Sequence, residues 1–234
     1  MTAGTVPDAN PHYHQHRDRL RRRFMHDLGE SMEDYELLEL VLTQLIPRRD
    51  VKPLAKELVA RFGGFAAVIA APPEALTKVK GLSERSVIGL KVIQSAALRL
   101  SRQEVLNCDV INSWDRLIAY CNAVLARETV EQVRLLLLDR KNKLIADEVQ
   151  HRGTVDQTAL YPREVVKRAL DRGASAIILV HNHPSGDPTP SQADIATTRE
   201  VYEATSRLGI TLHDHVIIGR SDYFSFRAMG LLET

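Results

Sequence analysis

The sequence predicts a mixed α/β domain preceded by an all-helical one. Three observations carry this: helical periodicity alone as far as residue 102, strand and helix patterns that alternate from residue 113 onward, and a loop dense in His, Ser, Pro and Asp directly behind an apolar strand. The domains read as a disordered tail at 1–16, a helical domain at 17–107 and an α/β metal-binding domain at 108–234.

In chain order, helices are expected at 34–45, 51–62, 73–78 and 83–102, with a linker near 101–112. A helix at 113–126 places Leu117, Cys121, Val124 and Leu125 on one face, with Asn112 or Ser113 as its cap. Strands follow at 133–138 and 144–150. Helix 162–172 starts on Pro162, which suits a first turn, and stops at Gly173. Strand 175–180, helix 191–208, strand 211–218 and a short strand 223–226 complete the chain.

Composition narrows the class. The chain has 234 residues, 44% of them hydrophobic and 26% charged, enough for one or two cores. No apolar run reaches membrane-spanning length, and the first residues lack a charged-then-apolar export signal, so a cytoplasmic protein without membrane contact is expected. Cys108 and Cys121 are the two cysteines, too few for a disulfide framework or a Cys-rich zinc site.

The run His181-Asn182-His183-Pro184-Ser185-Gly186-Asp187-Pro188-Thr189-Pro190-Ser191-Gln192-Ala193-Asp194 carries the chemistry. It follows the apolar stretch 174–180. In extended backbone, side chains two apart share a face, so His181 and His183 can converge on one ion. The prolines and Gly186 make a tight excursion, and Ser191 to Asp194 forms a capping-box start that places a carboxylate in the first helical turn. Two imidazole nitrogens and a carboxylate oxygen suit Zn2+ and leave the fourth position open, as in catalytic sites. A Glu that does not bind the metal would then act as proton acceptor, with a hydroxyl such as that of Ser191 near the oxyanion.

These residues match the JAMM signature of the MPN/JAB metallopeptidases. With Gly153-Thr154, Tyr161-Pro162-Arg163-Glu164 and Asp214-His215-Val216-Ile217-Ile218-Gly219, the chain resembles the RadC family over nearly its whole length. The resemblance implies a mixed-sheet JAB/MPN domain with cytidine-deaminase-like layering, zinc held by His181, His183 and Asp194, Ser191 as orienting or oxyanion group, and cleavage of peptide or isopeptide bonds in a protein substrate. In JAMM proteins the general base sits at the entrance to the first strand. Here that is Glu131, with Glu128 and Glu164 as rivals. Asp214 and His215 stand as candidates to line the site or orient a ligand.

Lys78-Val79-Lys80-Gly81-Leu82-Ser83 resembles the turn of a helix-hairpin-helix module, in which Gly81 and Ser83 would present backbone N–H groups to a DNA phosphate. Charge gives little support. Residues 1–107 carry 16 Lys+Arg against 13 Asp+Glu, or +3, and residues 108–234 carry 15 against 17, or −2. Any DNA contact should therefore be weak and non-specific, with Arg17 to Arg23 as the best basic cluster.

A zinc hydrolase is thus the leading expectation. The alternative is a DNA-associated scaffold or DNA-processing protein whose metal does no chemistry. A nucleobase deaminase is disfavoured because its Pro-Cys-x-x-Cys element is absent. The letters His181-Asn182-His183 also invite a His-Asn-His nuclease, but the proline-rich loop does not resemble the two-strand and helix metal finger of those enzymes.

Overall fold

The computed structural model describes residues 12–47, 49–106, 108–152 and 160–232. The chain divides into two compact units, 1–95 and 96–234.

The first unit is helical: α1 (His12–Asp27), α2 (Asp34–Leu45), α3 (Lys52–Phe62), α4 (Phe65–Ala70), α5 (Pro73–Thr77) and the start of α6 (Glu84–Val105). Leu38, Leu42, Leu58, Leu76 and Leu90 form its core, each at 0% exposure. The stretch expected as a tail ends earlier than residue 16, since α1 starts at His12. Residues 1–11 lie outside the described residues. The periodicity reading missed α4, whose six residues span fewer than two turns. Glu33 and Glu36 close a reciprocal capping box at the start of α2.

The second unit holds α7 (Trp114–Leu125), β1 (Gln132–Leu138), β2 (Leu144–Arg152), α8 (Pro162–Asp171), β3 (Ala176–Asn182), α9 (Gln192–Ser206), β4 (Thr211–Ile218) and β5 (Tyr223–Ser225). The strands order β2-β1-β3-β4-β5, with β3 and β4 parallel and the other pairs antiparallel. This is the mixed sheet the sequence predicts. Strand alternation divides its side chains between two cores. Leu136, Ile178, Val180 and Val216 pack with Leu117 and Cys121 of α7 on one face. Leu135, Ile177, Leu179 and Ile217 pack with Val165 of α8 and Val201 of α9 on the other. Burial pushes the Cys121 thiol up to about 12, so it stays protonated and unreactive.

Two local readings differ from the sequence expectation. The stretch 101–112 is not a plain linker: α6 continues to Val105, and Val105 and Val110 are buried against the α7 core. Ser113 is the N-cap residue of α7, yet its side chain makes no capping hydrogen bond.

The parallel β3-α9-β4 crossover positions the site. It carries the chain from the C-terminal end of β3, through the loop and α9, back to the adjacent strand. The loop then packs on the turn after β4: Arg220 N–H donates to the Gly186 carbonyl at 3.0 Å. A Cβ on Gly219 would stand 2.6 Å from that same carbonyl oxygen, so only glycine permits this approach.

Candidate metal centre

His181 is the next-to-last residue of β3, and His183 follows the strand end with its N–H still bonded to the Ile218 carbonyl at 3.0 Å. Extended geometry therefore continues through both and turns both imidazoles to one face. Asp194 returns from the loop in the first turn of α9. Ser191 caps that helix, its Oγ accepting the Asp194 N–H at 3.1 Å while the Asp194 carboxylate accepts the Ser191 N–H at 2.7 Å. The Ser191 hydroxyl also donates to Asp194 Oδ2 at 2.6 Å.

The three side chains converge. His181 Nε2 lies 3.0 Å from His183 Nε2 and 3.3 Å from Asp194 Oδ1, and His183 Nε2 lies 3.6 Å from Asp194 Oδ2. Among the described residues, His181, His183 and Asp194 are the group whose donor atoms all fall within 4.8 Å of one another.

The hydrogen bonds behind the imidazoles decide what these atoms offer. His183 Nδ1 lies 2.8 Å from the Asp187 carbonyl, which can only accept, so Nδ1 carries the proton and Nε2 of the neutral ring presents a lone pair. Behind His181 runs a longer chain. Thr198 Oγ1 donates to the Asp194 carbonyl at 2.5 Å and so accepts from His215 Nδ1, also at 2.5 Å. His215 Nε2 then accepts from His181 Nδ1 at 2.8 Å, and His181 Nε2 is left bare. Two lone pairs and a carboxylate thus face each other.

A divalent cation fits this donor set. Ligands about 2.0 to 2.1 Å from a tetrahedral ion lie about 3.3 to 3.4 Å apart, inside the 3.0 to 3.6 Å range of the separations above, the two to Asp194 being to different carboxylate oxygens. The electrostatics agree. Burial favours the neutral Asp194 carboxyl, but the facing His181 and His183 imidazoles, which donate to it whenever protonated in the metal-free chain, and the Ser191 hydroxyl outweigh burial and hold the pKa far below the carboxylate range. The Asp194 carboxylate raises the His183 pKa, with smaller contributions from the Asp187 carbonyl and from Glu131. Burial keeps His215 well below the ordinary imidazole range, hence neutral and able to accept at Nε2.

A family model described as the RadC-like JAB domain matches residues 111–231. A UPF0758 protein of Rhodobacter capsulatus is 57% identical over 213 residues, covering 91% of this chain and 100% of the relative. The chain belongs to the RadC family.

Within this RadC-family chain, the other candidates fall in different places. Glu131 is half-buried in the segment before β1, and its charge acts on His183. Glu128 is half-buried three residues earlier. Glu164 is exposed on α8, with Arg163 at 3.5 Å. Of the pair Asp214 and His215, only His215 touches a member of the cluster, bonding His181 Nδ1 from behind. Asp214 instead bonds to Ser225 Oγ at 2.5 Å and to the N–H groups of His215 and Arg227. Gly153 and Thr154 lie outside the described residues. Thr198 escaped the sequence reading, because a Thr on a helix has no local signal for side-chain contact with the strand that follows it. In the first unit, Gly81 adopts φ +103° in the turn before α6, and Ser83 Oγ accepts the Ser86 N–H at 3.2 Å.

Proposed function

We propose that this RadC-family protein is a zinc-dependent hydrolase of peptide or isopeptide bonds. The observation that supports it most is the convergence of two bare imidazole lone pairs and a charged carboxylate, with Glu131 close enough to act on His183. The JAB family includes peptidases.

His181, His183 and Asp194 would hold the ion with three ligands, leaving a position open. A bound zinc supplies Lewis acidity that lowers the pKa of its water to about 7 and polarises the scissile carbonyl. Glu131 accepts the proton of the attacking water at its carboxylate and returns it to the leaving nitrogen. Ser191 holds the Asp194 carboxylate in place. Its single hydroxyl proton points at Oδ2, and serving an oxyanion would require giving up that bond. The decisive experiment incubates the zinc-loaded protein with peptide and lysine-linked isopeptide probes, with the Glu131→Gln variant as control. Cleavage by the wild type alone supports the reading.

A weak contact of the first unit with DNA is a separate proposal, motivated by the positive φ of Gly81 and by the Arg49 guanidinium, whose Nη2 lies 3.1 Å from where a Cβ of Gly81 would stand. Binding of the full chain to duplex DNA should be independent of sequence and weaken steeply with salt. No binding at low salt refutes it. Cys108 and Cys121, both free, fit the proposed cytoplasmic location. Among the described residues no helix is long and apolar enough to cross a membrane.

A further inference from the structure

Asn182 sits between the two histidines in sequence but faces away from the metal cluster, as strand alternation requires. It is 1% exposed. Its side chain makes three hydrogen bonds, all to backbone of the segment entering β1. Oδ1 accepts the Gln132 N–H at 2.9 Å, and Nδ2 donates to the Val130 carbonyl at 3.2 Å and the Glu128 carbonyl at 3.4 Å.

The ladder explains why a side chain is needed there. Antiparallel pairing of β1 with β3 ends at Val133 opposite His181. One residue further, the Asn182 amide takes over from backbone partners and bonds the segment on both sides of Glu131. Residues 126–131 have no helix or strand of their own to fix them. An amide is the side chain suited to this work, because it offers one acceptor and two donors in a plane. A buried amide with its bonds made also resists displacement.

We propose that Asn182 is a positioning residue that fixes Glu131 against the metal cluster. One short strand end would thereby set both sides of the chemistry: His181 and His183 hold the ion on one face, and Asn182 holds the proton acceptor from the other. This rests on the reading of Glu131 as the base.

The test compares full-length, zinc-loaded wild type with Asn182→Ala and Asn182→Asp. Asp keeps an acceptor for Gln132 but loses both N–H donors. Amide exchange at Gln132 should be about tenfold faster in the Ala variant, the factor for one lost hydrogen bond, and near wild type in the Asp variant. On a peptide that the wild type cleaves, both should lower kcat by about 10- to 100-fold with little change in KM, as expected for a misplaced group. Adding Glu131→Gln to either should cost little more, because the two changes remove one function. Should the Ala variant fail to fold, the Asp variant carries the kinetic arm. Unchanged Gln132 exchange in Ala, additive losses with Glu131→Gln, or zinc affinity falling in step with activity overturns the proposal. If the wild type cleaves no probe, the hydrolase reading fails, and the exchange experiment alone decides whether Asn182 holds the segment.

Discussion

His215 Nε2 lies 2.8 Å from His181 Nδ1, so the imidazole that faces His183 and Asp194 is oriented by a second, buried imidazole that does not itself reach that cluster. His215 is fixed in turn by Thr198 and stacks on Phe226 with ring centroids 4.7 Å apart. The bond that binds Thr198 to the Asp194 carbonyl ties the two ends of the ligand set into one network.

From this follows a prediction for His215→Phe. It keeps an aromatic ring against Phe226 but leaves the His181 Nδ1 proton without an acceptor. Zinc affinity, measured by competition with a chromophoric chelator, should fall by about 10- to 100-fold, the range for loss of such a supporting partner. Unchanged affinity would show that the network does not orient the ligand.

Metal uptake should depend on pH through His183. Asp194 raises the pKa of that imidazole above its usual 6.5, so protons compete with the metal up to a higher pH than for a free histidine. Affinity should therefore rise with pH through and above 6.5, while Asp194 stays ionised throughout. Stability of the metal-free protein runs the other way. A raised folded pKa gives stabilisation that is complete below the unfolded value and lost as pH rises through the folded one. Metal-free thermal midpoints should thus decline as pH climbs above 6.5, and Asp194→Asn should flatten that decline.

Glu148 joins β2 to α8 by accepting from Arg168 at 2.8 Å and from Arg172 at 2.7 Å. Both arginines are substantially exposed, so Glu148→Gln should cost only about 0.5 to 1 kcal/mol in urea unfolding at neutral pH. The Arg168 hydrogen bond leads in holding the Glu148 pKa below its usual 4.5. A lowered folded pKa gives stability present above the unfolded value and lost below it. The gap between wild type and variant should close as pH falls below 4.5.

Gly219→Ala tests the packing of the ligand loop. The new methyl would meet the Gly186 carbonyl oxygen at 2.6 Å and Pro188 Cδ at 2.9 Å. Backbone must move, at a cost of about 1 to 3 kcal/mol. Because that loop leads to Asp194, zinc affinity should weaken with it, and equilibrium unfolding with parallel metal titration checks both.

The convergence of His181, His183 and Asp194 was legible in the sequence because each part has a local signature. An apolar run gives the strand, alternation puts His181 and His183 on one face, and Ser191 with Asp194 announces a capped helix start. The sheet followed from strand and helix alternation. What the sequence did not show depends on pairing in space. Thr198 meets His215 only because β4 lies beside β3 and α9 packs over both, and Asn182 meets Glu128 and Val130 only through the β1 and β3 register. Short α4 was lost for want of periodicity, and the helical continuation to Val105 because Ser101 to Glu104 are polar and extend no apolar stripe.

The most direct test of the account measures bound zinc and peptidase turnover together in wild type, Glu131→Gln and Asp194→Asn. Glu131→Gln should retain about one zinc per chain while turnover drops by about two to four orders of magnitude, the range for removing a positioned general base. Asp194→Asn should lose zinc and turnover together. Full turnover by Glu131→Gln, or full zinc in Asp194→Asn combined with a His181→Ala/His183→Ala double substitution, would contradict the account.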